Sequence, residues 1–404
     1  MSLIVQKFGG TSVGSIERIE AVADLVVKTK QQGHQIVVVL SAMSGETNRL
    51  ISLAKQIDPR PSSRELDVLV TTGEQVSVAL LAMAIIKRGH SAISLLADQA
   101  LITTNNLFGK ARIQHIDSSR LNHELEHGRI VILAGFQGRD IEGNITTLGR
   151  GGTDTTAVEV AGAIQADECQ IYTDVNGVYT TDPRIEPNAK RMETVTFEEM
   201  LELASLGAKV LQIRSVEAAG RYNIPLRVLS TFAPDQGTLI TYEEPKMTDK
   251  VVSGIAHTKD EALLSIVGVP NIPTNLAKIL QLFAEYAIEV DMIAQINQKD
   301  AKIDYAFTVH RNDYEQGLEL LGLVQLEIGA ISVVGNCNVA KISAVGVGMK
   351  SHAGVAGTLF QALADENIAA LLISTSEIKI SVLIEEKYLE LGVRALHSAF
   401  FVEK

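Results

Sequence analysis

The chain has no tryptophan, and aromatic residues make up only 4% of its 404 positions. Valine, isoleucine, leucine and alanine must therefore fill its cores, and a hydrophobic fraction of 46% is ample for that. Cysteine is also scarce. Cys169 and Cys337 are the only two, far apart and in no CxxC or metal-like spacing. A disulfide framework and a cysteine-ligated metal are excluded, and two thiols in a reducing cytosol are expected. Uncharged runs such as Gln75 to Ile86 are too short to cross a bilayer, which needs about 20 apolar residues. Five residues precede Gln6-Lys7, with no room for a signal-peptide core, so the expected location is cytoplasmic. Positive charge is in deficit, with a formal net charge of −12. That argues against nucleic acid or an anionic membrane as partner, though a few local cations suffice for a phosphate. Neither GxxxxGK[ST] nor GxGxxG occurs, which excludes P-loop and dinucleotide-binding readings.

What is present suggests two or three domains. Up to about Ser230, short apolar runs alternate with helical patterns. Leu3–Val5, Ile36–Leu40, Ile130–Ala134 and Gln170–Thr173 read as buried strands. Residues 15–32, with Ser15 as N-cap and Gly33 as stop, read as a helix, as do Glu74–Lys87 and Thr153–Gln165. This alternation predicts a mainly parallel α/β sheet with helices on both faces. Thr231 to Ala262, with Pro234, Gly237 and Pro245 among scattered charges, reads as a join. Beyond it a strand–helix–strand–strand order occurs twice at an offset of 80 residues, Ala284-Glu285 matching Ala364-Asp365. Two copies are too few for a solenoid and predict two small α+β modules packed together.

Three segments carry chemistry. Lys7-Phe8-Gly9-Gly10-Thr11-Ser12 ends a strand in two glycines before a helix, with a cation at the strand end. Free N–H groups and a helix start in that order suit a phosphate. Thr146 to Thr155 sets Gly149, Gly151 and Gly152 around Arg150. Thr153 or Asp154 then lies near a helix cap, and Arg150 is placed to grip a carboxylate bidentately. Tyr172 to Arg184 follows a strand's carboxyl end, where open α/β sheets bind ligands. Asn176-Gly177 there is a turn signal, but Asp174, Asp182 and Arg184 beside it point to a nucleotide and magnesium site.

KFGGTSV, SAM at Ser41 to Met43, TTGE at Thr71 to Glu74, AGFQG at Ala134 to Gly138, TTLGRGGTDTTA, YTDVNGVYTTDPR and EEMLELASLGAKVL resemble the aspartate kinases, in that family's order. GVGMKSHAGV and ISTSEIKISVLI resemble its paired ACT regulatory domains. The resemblance implies an amino-acid-kinase three-layer sandwich over residues 1–245. It implies a linker and first ferredoxin-like ACT module over 246–337, and a second over 338–404. It also implies ATP with Mg2+ and aspartate as substrates. Lys7, Gly9 and Gly10 would hold the transferring phosphoryl group. Ser41, Thr173, Asp174, Tyr179, Arg184 and Lys209 would line the ATP site. Thr47, Glu74, Arg150, Gly151, Gly152 and Thr153 would hold aspartate, with Asp154 near the reacting centre.

The chemistry is consistent with those roles. A carboxylate nucleophile has an ordinary pKa of about 4 and needs no general base at neutral pH. What remains is to align two anions and stabilise charge on the phosphoryl oxygens. Asn176 stands where the family commonly has Asp, Thr153 where Ser is common, and Gln212-Ile213 where His-Pro is frequent. Pro273-Thr274 and Ala353 depart from the usual ACT wording and bear on effector identity.

Feedback by lysine, threonine or both is implied. The expected contacts are Asp291 and Met292 in the first module. In the second they are His352, Ala353, Gly354, Val355, Ser374, Thr375 and Ser376. A homodimer through the ACT modules is expected. Met247 is either the start of a separately translated regulatory subunit or a surface methionine. Two other readings stay open: a kinase for glutamate, acetylglutamate or a nucleotide on the same fold, and a non-catalytic amino-acid sensor.

Overall fold

The structure is a computed structural model that describes residues 2–207, 210–233, 235–242, 251–298, 302–352 and 354–402. Lys209, Met247, Ala353 and the expected boundary at 245 lie outside the described residues. The chain forms two compact units. One holds the chain through Val178, Arg191–Ala204 and residues 210–242. The other holds Tyr179–Lys190, residues 205–207 and the described residues from 251 onward.

The first unit begins with β1 (Leu3–Phe8), α1 (Ile16–Gln31), β2 (Gln35–Leu40), α2 (Glu46–Ile57), α3 (Ser63–Val70) and α4 (Thr72–Lys87). Then come β3 (Ala92–Leu95), β4 (Ile102–Thr104), β5 (Ile113–Ile116), α5 (Ser119–Glu126), β6 (Ile130–Ala134), β7 (Gln137–Arg139) and β8 (Ile145–Thr147). It continues through α6 (Gly152–Ala163), β9 (Glu168–Thr173), β10 (Thr194–Thr196), α7 (Phe197–Ser205, all but its last residue), α8 (Ile213–Tyr222), β11 (Leu226–Ser230) and β12 (Thr238–Thr241). Eight strands make one sheet in the order β10-β12-β11-β9-β1-β2-β6-β3, parallel except for the β11–β12 pair.

Side chains alternate across this sheet, as strands require. Phe8, Ile36, Val38 and Leu40 pack under α1 and α4, while α6 lies over β1, β2 and β9 on the other side. Both faces are therefore covered, which is why the central strands read as unbroken apolar runs. Ser15 caps α1 by accepting from the Arg18 N–H, as its position predicts. The registers Phe8–Leu40, Phe8–Tyr172, Leu40–Ala134 and Ser230–Thr173 bring the carboxyl ends of five strands level. The loops after those strands share one edge. A smaller sheet, β5-β4-β7-β8, was not foreseen, because three of its strands have only three residues each.

The second unit contains β13 (Gly254–Pro270), α9 (Pro273–Glu285), β14 (Val290–Asn297), β15 (Lys302–His310), α10 (Tyr314–Ile328) and β16 (Ser332–Val345). It ends with α11 (Val355–Asp365), β17 (Leu372–Thr375), β18 (Lys379–Glu385) and α12 (Leu389–Phe401). One six-stranded sheet, β14-β15-β13-β16-β18-β17, serves both repeats, with β13 and β16 antiparallel at its centre. Each repeat has its own core, around Phe283 and Phe307 in the first and Leu359 and Val393 in the second.

Two sequence expectations need correcting. The stretch 231–262 is not only a join: it contains β12 and the start of β13. Each repeat closes with a further helix, α10 or α12, that the repeat pattern did not include. Gly151, in a left-handed conformation, is the N-cap of α6, and Thr153 and Asp154 lie near it in the first turn, as expected.

Candidate active site

Lys7 is the penultimate residue of β1, and its Nζ stands 2.7 Å from Asp154 Oδ1 at the start of α6. Their side chains are only 12% and 13% exposed. An ion pair so shielded from water is screened weakly, so the carboxylate fixes where the ammonium points. The chain then turns through Gly9 and Gly10, with the Ser12 N–H donating to Gly9 O at 2.9 Å. Ser12 Oγ lies 2.7 Å from Thr231 Oγ1, tying this turn to the loop after β11. The sequence reading gave neither hydroxyl a role.

Across the same edge, Ser41 Oγ donates to Thr153 Oγ1 at 2.9 Å. Glu74 sits in the first turn of α4 and is 2% exposed. Gly73 makes this possible: a Cβ there would meet the Ala42 Cβ at 2.8 Å, so only glycine lets α4 approach so closely. The Ala42 N–H donates to Glu74 Oε1 at 3.0 Å. Oε2 is buried with no hydrogen-bond partner among the described residues. Burial pushes the Glu74 carboxyl up to about 7, against the smaller opposing effect of the Ala42 N–H.

Arg150 is exposed in the turn between β8 and α6. Gly149 and Gly151 on either side have φ of 78° and 72°, backbone that glycine adopts without strain. Thr47 is half-buried near the start of α2, and Asp174 is exposed just beyond β9, with the Thr173 hydroxyl donating to its Oδ1 at 3.1 Å. Lys7, Gly9, Gly10, Ser41, Thr47, Glu74, Arg150 to Asp154, Thr173 and Asp174 all belong to the first unit.

Tyr179 and Arg184 do not. They lie in the segment Tyr179–Lys190, which belongs to the second unit. There the Ile255 N–H donates to Thr180 O at 2.7 Å, and Thr180 Oγ1 lies 3.0 Å from His397 Nε2. The Arg184 guanidinium holds both Asp182 oxygens, with Nε 3.0 Å from Oδ1 and Nη2 2.7 Å from Oδ2. Adjacency in sequence suggested one site with Asp174. It does not reveal which unit takes up the chain after Val178.

In the second unit Lys341 joins Glu261, at 2.6 Å, to Asp291 on β14. Met292 is buried among Val339, Leu372 and Leu383, so its side chain is core and any ligand contact falls to its backbone carbonyl. Its N–H donates to Thr308 Oγ1. His352 Nδ1 lies 2.8 Å from Gly348 O, and Gly354 caps α11 in a left-handed conformation ahead of Val355. Ser374 and Thr375 end β17, and the Ser376 N–H closes the turn onto Lys379 O. Both cysteines are unpaired, and burial pushes the Cys169 thiol pKa up, as befits an inert core group.

Residues 2–230 match the model of the amino acid kinase family, and residues 342–400 match an ACT domain. The chain is 61% identical to an aspartate kinase of Pseudomonas putida over 401 residues, 99% of this chain and 98% of that one. It belongs to the aspartate kinases. An aspartokinase of Helicobacter pylori is 50% identical over the full length of both chains. Among solved structures, Escherichia coli aspartokinase III in complex with aspartate and ADP superposes with a TM-score of 0.79. It is 27% identical and is covered at 99% of this chain and 100% of that one. This kinase is thus an ATP-dependent enzyme with an amino-acid kinase fold and ACT-type repeats.

Proposed function

We propose that this kinase transfers the γ-phosphoryl group of ATP to the β-carboxylate of L-aspartate, giving 4-phospho-L-aspartate and ADP. That reaction opens lysine, threonine and methionine biosynthesis in the cytoplasm. The observation that carries the substrate reading is the orphaned Oε2 of Glu74. A buried acceptor with no donor is costly, and a substrate α-ammonium supplies the missing donor together with a compensating charge. Arg150, free of any ion pair among the described residues, would take the α-carboxylate as a fork. Together they select an amino acid over a simple diacid.

The attacking β-carboxylate is ionised at neutral pH, so no side chain needs to remove a proton. Lys7, aimed by Asp154, and the N–H groups of the Gly9-Gly10 turn would offset charge on the transferring oxygens. Ser41 and Thr153 brace the two sides of that edge. Asp174, exposed beyond β9, would hold the magnesium ion. The ion would arrive on the nucleotide phosphates and keep several of its own waters. When bound, the ion supplies positive charge to the phosphate oxygens.

The repeats would bind lysine, threonine or both at Asp291 and the Met292 backbone, and at His352 to Val355 with Ser374 to Ser376. They would also pair two chains. E. coli aspartokinase III has been solved with lysine and aspartate, which favours an amino-acid effector. Trapping the product with hydroxylamine tests the reaction. An acyl phosphate yields a hydroxamate that depends on both ATP and aspartate. ADP formation without hydroxamate would overturn the reading.

A further inference from the structure

Asp67 has no part in the chemistry above, yet it is 2% exposed on α3 and fully engaged. Its Oδ2 accepts from the Gly109 N–H at 2.9 Å and the Thr147 N–H at 2.8 Å. Its Oδ1 accepts from the Thr147 hydroxyl at 2.7 Å. The partners are backbone and hydroxyl groups of two separate segments, the turn 105–111 and the last residue of β8. These segments also touch directly, since the Ala111 N–H donates to Thr147 O at 2.8 Å. A Cβ on Gly149 would stand 2.9 Å from Gly109 O, so the turn packs against the glycine-rich loop. Arg150 follows at once. Burying a carboxylate costs free energy, and burial does raise the Asp67 carboxyl pKa against the pull of its three donors. An apolar residue would staple α3 to β8 without that cost. What only an acceptor can do is hold two backbone segments in register.

We propose that Asp67 is a positioning residue of the aspartate site, fixing the Leu148–Gly151 loop so that the Arg150 guanidinium meets the substrate carboxylate. The inference rests on the role given to Arg150 above. It predicts which replacements are tolerated. Asparagine can keep all three bonds, with its oxygen accepting both N–H groups and its amide donating to the Thr147 hydroxyl, which reverses. Alanine keeps none, and Thr147→Val removes one.

The test is steady-state kinetics of the full-length enzyme, with thermal midpoints for every variant. Asp67→Ala should raise the aspartate KM at least about tenfold, with the ATP KM within about twofold. Asp67→Asn should stay close to wild type in both. Thr147→Val should fall between them, and it serves alone if Asp67→Ala does not fold. A merely structural role would lower the thermal midpoint and leave the KM ratio in place. An unchanged aspartate KM in folded Asp67→Ala, or in Thr147→Val where only that variant folds, overturns the inference. So does an equal rise for both substrates. Arg150→Ala, run beside them, separates the two failures. If it leaves the aspartate KM unchanged, the role of Arg150 fails. If it raises KM while Asp67→Ala does not, only the positioning claim fails.

Discussion

Replacing Glu74 by glutamine should make the protein more stable and the enzyme worse. The carboxyl is held at about 7 against an ordinary 4.5, so above pH 7 the fold carries an ionised group it disfavours. That displacement corresponds to about 3 kcal/mol. Glutamine keeps the acceptor for the Ala42 N–H and removes the charge, but its amide places an unsatisfied donor where Oε2 was, at a cost of about 1–2 kcal/mol. The net gain at pH 8 is about 1–2 kcal/mol, or ~4 °C in thermal midpoint for a unit of this size. The sign follows from the raised pKa. Stability from the neutral carboxyl is fully present below about 4.5 and is lost as pH rises through about 7. The advantage of the variant should therefore shrink towards pH 5 and level off above pH 8. Aspartate binding should move the other way, since an amide donor faces the substrate ammonium, and KM should rise about 30-fold or more. Thermal scans and initial rates at pH 5, 7 and 8.5 measure both. A variant no more stable at pH 8.5 than wild type, with unchanged aspartate KM, would refute the argument.

Lys7→Ala should lower kcat by about 10²–10³-fold and move aspartate KM far less, as for loss of one charge-stabilising donor; near-normal kcat would remove Lys7 from the mechanism. Arg150→Lys should raise aspartate KM by about tenfold, because a point charge cannot replace a bidentate fork; an equal rise in ATP KM would mean the residue is misplaced. Thr375→Ile, at the end of β17, should relieve inhibition by lysine or threonine and leave uninhibited turnover near normal, measured by titrating each amino acid and their mixture. Gly151→Ala should cost activity through the loop, since its φ is 72° and the new Cβ would fall 2.0 Å from the Gln212 side chain; wild-type kinetics would show that the loop tolerates the shift.

The parallel sheet was legible because strands buried on both faces cannot hide their composition: Ile130–Ala134 is apolar throughout and is β6 to the residue. The glycine-bearing turns were legible because tight turns and helix starts leave few alternatives to glycine. Pairings across long separations were not. Lys7 and Asp154 lie in different segments, and only the placing of α6 over β1 brings them to 2.7 Å. Asp67 gave no signal, since an acidic residue in an amphipathic helix is ordinary until its partners are known. That Tyr179–Lys190 belongs to the second unit was not legible, because a motif records neighbours in sequence, whereas Thr180 finds its partners at Ile255 and His397. Helix α10 escaped notice because Gly317 and Gly322 interrupt its pattern.

The most direct test is ADP release by the purified enzyme with ATP and magnesium, supplied in turn with L-aspartate, L-glutamate and no acceptor. The account predicts rapid, saturable turnover with aspartate and rates near background for the other two. Turnover with glutamate equal to that with aspartate, or the same rate with no acceptor, would contradict it.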